Sequence, residues 1–107
     1  MSIYKEFEKL IEKRKAIEED IDYETNPIIK EMIHLMTADI NSTIVFLKNE
    51  CSEEQFVCLS EIAHEITEYT KSSEFIQGLR DLCDKYPETA KKYNIHYFVE
   101  SAAEYLE

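Results

Sequence analysis

The stretch SEEQFVCLSEIAHEITEYT, Ser52 to Thr70, holds the clearest boundary signal in the chain, and the fold is read outward from it. Ser52, Glu53, Glu54 and Gln55 have the form of a capping box: the serine oxygen accepts from one unsatisfied backbone N–H at a helix start, and the glutamine reaches back to another. Phe56, Leu59, Ile62, Ala63, Ile66 and Tyr69 then recur at three- and four-residue spacing, the period of one apolar helical face. This predicts a single helix over 52–70 with those side chains inside, stopped by the polar Thr70-Lys71-Ser72-Ser73 connection.

The same periodicity extends in both directions. Ser2 is placed to cap a first helix with Ile3, Phe7, Leu10, Ile17 and Ile21 on one stripe and Arg14 at the missing position. The run from Glu18 to Glu24 puts acids at a helix end where the macrodipole prefers cations, so local energetics do not explain them. Asn26-Pro27 opens a second helix, because proline fits a first helical turn and biases its predecessor away from one. Ile29, Met32, Ile33, Met36, Ile40, Ile44 and Leu47 carry that helix to about residue 50, with a break foreseen near Thr37, where β-branched residues weaken the propensity.

Downstream, Phe75, Leu79, Leu82 and Tyr86 mark a fourth helix from about Ser73, with Ile76 and Cys83 beside them. Gly78 interrupts it at about 1 kcal/mol relative to alanine, a cost that close approach by a neighbouring helix would offset. Pro87 starts a short turn of helix, Asn94 is placed to cap the last helix, and Ile95, Phe98, Val99, Ala102 and Leu106 build it. With one Gly and two Pro in 107 residues, the turn vocabulary of a many-stranded sheet is missing. The expected fold is all-α: a single domain over 1–107, an antiparallel bundle or short solenoid-like array of five to six helices.

Hydrophobic residues make up 44%, enough for a core, so a net charge of −11 does not signal disorder here. That charge should repel nucleic acid. The start, MSIYKEFEKL, alternates charge with apolar residues and does not have the form of a secretory signal; no apolar run approaches a membrane span. A cytoplasmic protein without membrane attachment is expected, with Cys51, Cys58 and Cys83 as reduced thiols.

Between Ser52 and Thr70 there are acids but no Lys or Arg. At 100° per residue Glu54, Glu61, Glu65 and Glu68 fall on one stripe opposite Leu59 and Ile66. Like charges at such spacing cost about 0.2 to 0.5 kcal/mol per pair. Two readings stand side by side: a docking face for a basic partner, or a solvated face that keeps the protein soluble. Glu19, Asp20 and Asp22 form a second acidic candidate. Among seven tyrosines, Tyr69 and Tyr86 are expected inside and Tyr23, Tyr97 and Tyr105 outside, with Tyr97 the candidate anchor for a partner.

Chemistry is harder to place. His64-Glu65-Ile66-Thr67-Glu68 begins like the zinc-protease pattern His-Glu-x-x-His but ends in glutamate, so the paired imidazoles are missing. Cys51, Cys58 and His64 do not have a zinc-ligand spacing. His34 lies on the outer side of its helix, where a phosphate-accepting histidine would sit, but lacks the Lys and Gly that usually follow one. No glycine-rich phosphate loop or nucleophile elbow is present, so no enzymatic activity, metal, cofactor or small-molecule substrate is expected.

In size, charge and helix content the chain resembles the small helical immunity proteins encoded beside bacterial contact-dependent and polymorphic toxins. The likeness is strongest from Ser52 to Leu106, through Ser52-Glu53-Glu54-Gln55-Phe56, Ser73-Glu74-Phe75-Ile76, Lys85-Tyr86-Pro87-Glu88 and Lys92-Tyr93-Asn94-Ile95. It implies an acidic protein that neutralises a cognate basic toxin domain, often a nuclease, by binding and without catalysis. The competing expectation is a helical regulatory or adaptor domain that binds a cellular protein.

Overall fold

A computed structural model describes residues 2–16 and 27–106. Within them eight α-helices follow one another: α1 (Ile3–Ala16), α2 (Pro27–Ala38), α3 (Ile40–Asn49), α4 (Glu53–Glu61), α5 (Ala63–Thr70), α6 (Ser73–Lys85), α7 (Pro87–Lys92) and α8 (Ile95–Ala103), closed by a 3-10 turn over Glu104–Leu106. The all-helical class stands, while the expected five to six helices become eight because two long helices are each divided. Ile17, Ile21, Tyr23 and the acidic run with Glu19, Asp20 and Asp22 lie outside the described residues.

The first division falls at Asp39, two residues past Thr37. Asp39 is extended (φ −147°, ψ 93°) and caps α3: its carboxylate accepts from Ser42 N at 3.3 Å and from Ser42 Oγ at 2.9 Å. Thr43 Oγ1 donates to the Met36 carbonyl at 2.7 Å across the break. Asp39, Ser42 and Thr43 therefore build the corner, and the Asp39 carboxyl is held below its usual pKa by its bonds to Ser42.

The second division corrects the single helix expected over 52–70. Ile62 leaves helical geometry (φ −112°, ψ 12°) and its N–H donates to the Leu59 carbonyl three residues back, so α4 ends and α5 starts on the same residue. Inward faces shift accordingly: α4 buries Phe56 and Leu59, and α5 buries Ala63, Ile66 and Thr67. Tyr69 falls outside that face and is 77% exposed instead of buried. Tyr86 is only half-buried, tilted against Phe56 with centroids 6.1 Å apart.

Most other boundaries follow the expected chemistry. Ser52 Oγ accepts from Gln55 N at 3.2 Å, and Gln55 Oε1 accepts from Ser52 N at 2.9 Å, completing the capping box. Gln55 is buried and its Nε2 also donates to the Tyr4 carbonyl, tying α4 to α1. Pro27 and Pro87 each open their helix. Asn94 makes no side-chain cap to α8; it adopts the left-handed conformation (φ 55°) that follows α7, one that asparagine enters more readily than most residues because its short polar side chain can bond locally to the backbone. Leu106 sits in the closing 3-10 turn and not in α8.

All eight helices contribute to one apolar cluster, from Phe7 and Ile11 through Met32, Phe46, Phe56, Ile66, Phe75 and Val99. Phe7 and Phe46 meet edge to face at 6.2 Å, joining α1 to α3. A Cβ on Gly78 would lie 2.9 Å from Leu47 Cδ1, so the glycine in α6 is where α3 comes closest. α1 packs on α2, α3 and α4; α5 packs on α2 and α8; α7 joins α4, α6 and α8. No helix among the described residues is long and apolar enough to cross a membrane.

Candidate functional site

The acidic stripe does not survive folding as a single surface. α1 carries Lys5, Lys9, Lys13, Arg14 and Lys15, five of the chain's twelve basic residues, and its C-terminal end lies beside α4. Arg14 Nη1 reaches Glu61 Oε2 at 2.7 Å, and Lys15 Nζ reaches Glu54 Oε2 at 2.6 Å, so two of the four candidate glutamates have cations from the same molecule. Arg14, expected on the apolar stripe, is thus an ion-pair partner. Glu54 also raises the Lys15 ammonium pKa. Both pairs are surface pairs, with the Glu61 side chain 38% and the Glu54 side chain 49% exposed.

Glu65 and Glu68 differ from them. They lie on α5, past the turn at Ile62, and neither forms an ion pair among the described residues. Glu68 is exposed, whereas Glu65 is half-buried with its Oε2 fully covered and without a hydrogen-bond partner.

Exposed aromatics lie on the two elements, α7 and α8, that pack against α4. Tyr93, at the end of α7, and Tyr97 and Phe98, on the first turn of α8, are all exposed, Tyr97 to 63% as expected. Tyr97 and Phe98 contact each other edge to face at 5.6 Å. Phe98, expected among the core positions of α8, instead joins this outer group. α4, α7 and α8 pack on one another, and a groove of about 390 Å³ between α4 and α7 is lined by Glu53, Glu54, Val57 and Cys58 on one side and Thr89, Lys92 and Tyr93 on the other.

All three cysteines are unbridged, and burial pushes Cys51 up to about 12 and Cys58 and Cys83 to about 11, so they are neutral thiols at physiological pH. His64 Nε2 lies 2.9 Å from Ser101 Oγ, a contact across 37 residues that no local pattern announces. The imidazole also meets the Tyr105 ring edge to face, with centroids 5.8 Å apart, and has no acid hydrogen-bonded to it among the described residues, so the pair lacks the orienting group of a nucleophile–base system. It instead fastens α5 to α8, beside the Lys71 ammonium that donates to the Tyr105 carbonyl at 3.1 Å. His34 is exposed on α2, as expected.

What these side chains offer is a groove in which Tyr93 faces Glu53 and Glu54, a water-facing Tyr97–Phe98 pair on α8, and surface carboxylates paired with cations of α1, on a protein of net charge −11. No protein-family model, no curated protein and no solved structure matches this chain, so that surface has to be understood from its own residues.

Proposed function

We propose that this protein works by stoichiometric binding of a cationic protein domain, and that within this class it is an immunity protein that neutralises a cognate toxin domain, with a nuclease the expected toxin. The carrying observation is the pair Tyr97 and Phe98: adjacent on one helical turn, in edge contact and both facing water, on a helix that packs against the acid-bearing α4. Tyrosine rings supply contact area at small entropic cost and are enriched at the centres of interfaces. A net charge of −11 accelerates encounter with a basic surface. Glu54 and Glu61 belong to the binding surface in spite of their internal partners, because exposed ion pairs are worth about 0 to 1 kcal/mol and are readily exchanged. Neutralisation then requires only that the bound protein cover or distort the toxin's active site; cytoplasmic residence, where a nuclease would act, completes the proposal.

The experiment is co-expression with a basic toxin domain encoded beside this gene. The wild type should rescue growth and bind with nanomolar or tighter affinity, with an association rate that falls as salt rises. The double variant Y97A/F98A should retain its helical circular dichroism and lose rescue. Full rescue and unchanged affinity by a folded Y97A/F98A protein would remove this face from the interface.

A further inference from the structure

Taking the protein as a receptor for a cationic partner, we infer that the groove between α4 and α7 receives an arginine side chain of that partner, with its guanidinium lying on Tyr93 and paired with Glu53 and Glu54. The groove, about 390 Å³, combines three surfaces that arginine uses together. The two carboxylates are neighbours on the first turn of α4. Val57 and Cys58 form an apolar flank for the methylene stem, and the Cys58 thiol, pushed up to about 11 by burial, adds no charge there. Tyr93 supplies an exposed aromatic face.

Both recognition elements already hold cations, and both are the protein's own. Lys15 Nζ sits 2.6 Å from Glu54 Oε2, and Lys92 Nζ lies 5.3 Å from the centre of the Tyr93 ring. Each element thus accepts a cation within the protein itself, one ammonium from α1 and one from α7, and Glu54 and Tyr93 line the same groove. Glu53 is set in place by Thr89, whose hydroxyl donates to Glu53 Oε2 across the groove; Glu53 Oε1 has no hydrogen bond among the described residues and is open to a donor. A planar fork of N–H donors that can pair with carboxylates and stack on a ring suits this geometry better than a single ammonium, which must choose one.

The test is an amide-resolved NMR titration of the full chain with two probes, Nα-acetyl-arginine amide and Nα-acetyl-lysine amide. Saturable shifts confined to residues 53–58 and 89–93 are expected, with the arginine probe tighter by about threefold or more. E53Q should abolish the preference. K15Q/K92Q, which removes the internal stand-ins, should bind the arginine probe several-fold more tightly than K30Q/K48Q, which changes the net charge equally elsewhere. Equal shifts for the two probes, shifts spread over the surface, or equal tightening in both double variants would overturn the assignment. A cationic domain that binds the wild type while the groove stays silent would refute the groove alone; a domain that does not bind at all would refute the broader proposal.

Discussion

α4 and α5 are consecutive, both acidic and joined through one buried residue, Ile62, yet the fold gives their glutamates different surroundings. On α4, Glu54 and Glu61 face the basic end of α1 and take Lys15 and Arg14 as partners. On α5, Glu68 faces water and Glu65 buries one oxygen without a partner among the described residues, while His64 fastens the same helix to α8 through Ser101. A stripe of like charge therefore acquires its meaning from whatever packs across it. Half of this one balances α1, and half has no ion-pair partner among the described residues.

The largest effect should come from the joint between the two regions. Ile62 is fully buried where α4 ends and α5 begins, so Ile62→Ala should destabilise the fold by about 2 to 5 kcal/mol, with a single urea transition, because both helices draw on one core. Two separate transitions would show that α4 and α5 belong to independent units and would break the comparison. The next effect separates the helices by how they begin. α4 has a complete capping box, whereas α5 starts at Ile62 without a side-chain cap. Ser52→Ala should lower the urea midpoint by the equivalent of about 1 kcal/mol at constant m value. An unchanged midpoint would mean that the capping box does not hold the start of α4.

Where the chemistry is local, the sequence was a sufficient guide. The capping box at Ser52, the helix starts at Pro27 and Pro87, and the close approach at Gly78 each depend on a few neighbouring residues or on one residue's lack of a Cβ. The cap at Asp39 is equally local, but propensity alone foresees only a weakened helix near Thr37 and does not show that Ser42 and Thr43 are the partners of a cap and a corner. Ile62 gave no warning, since neither glycine nor proline marks the turn and the apolar spacing passes through it. Once the helix divides there, Tyr69 moves to the surface. The Arg14–Glu61 and Lys15–Glu54 pairs were invisible for a different reason: they join residues more than 35 positions apart, through the packing of α1 on α4. Tyr97 was placed outside correctly, but its partner Phe98 was assigned to the core by a periodicity that α8 only partly follows.

The smallest effects are those that sharpen the comparison most, because they should differ in sign. Removing the Glu65 carboxylate relieves a covered oxygen that lost its water and found no donor, so Glu65→Met should raise stability by about 1 kcal/mol, the low end for an unsatisfied polar group because the side chain is only half-buried. Glu61 should behave oppositely. A double-mutant cycle with Glu61→Gln and Arg14→Gln should give a favourable coupling of about 0.2 to 1 kcal/mol, shrinking as salt rises, since both side chains are substantially exposed. A partner that binds this region should make the same two positions diverge again. The Glu61 coupling would be exchanged for a contact with the partner, whereas the stability gained at Glu65 would be offset by weaker binding if that carboxylate is one the partner uses. Equal and unfavourable effects of both substitutions in the free protein would mean that the two helices do not differ in how their charge is held, and a zero coupling in the cycle would mean that the Arg14–Glu61 pair is a feature of geometry without energetic consequence.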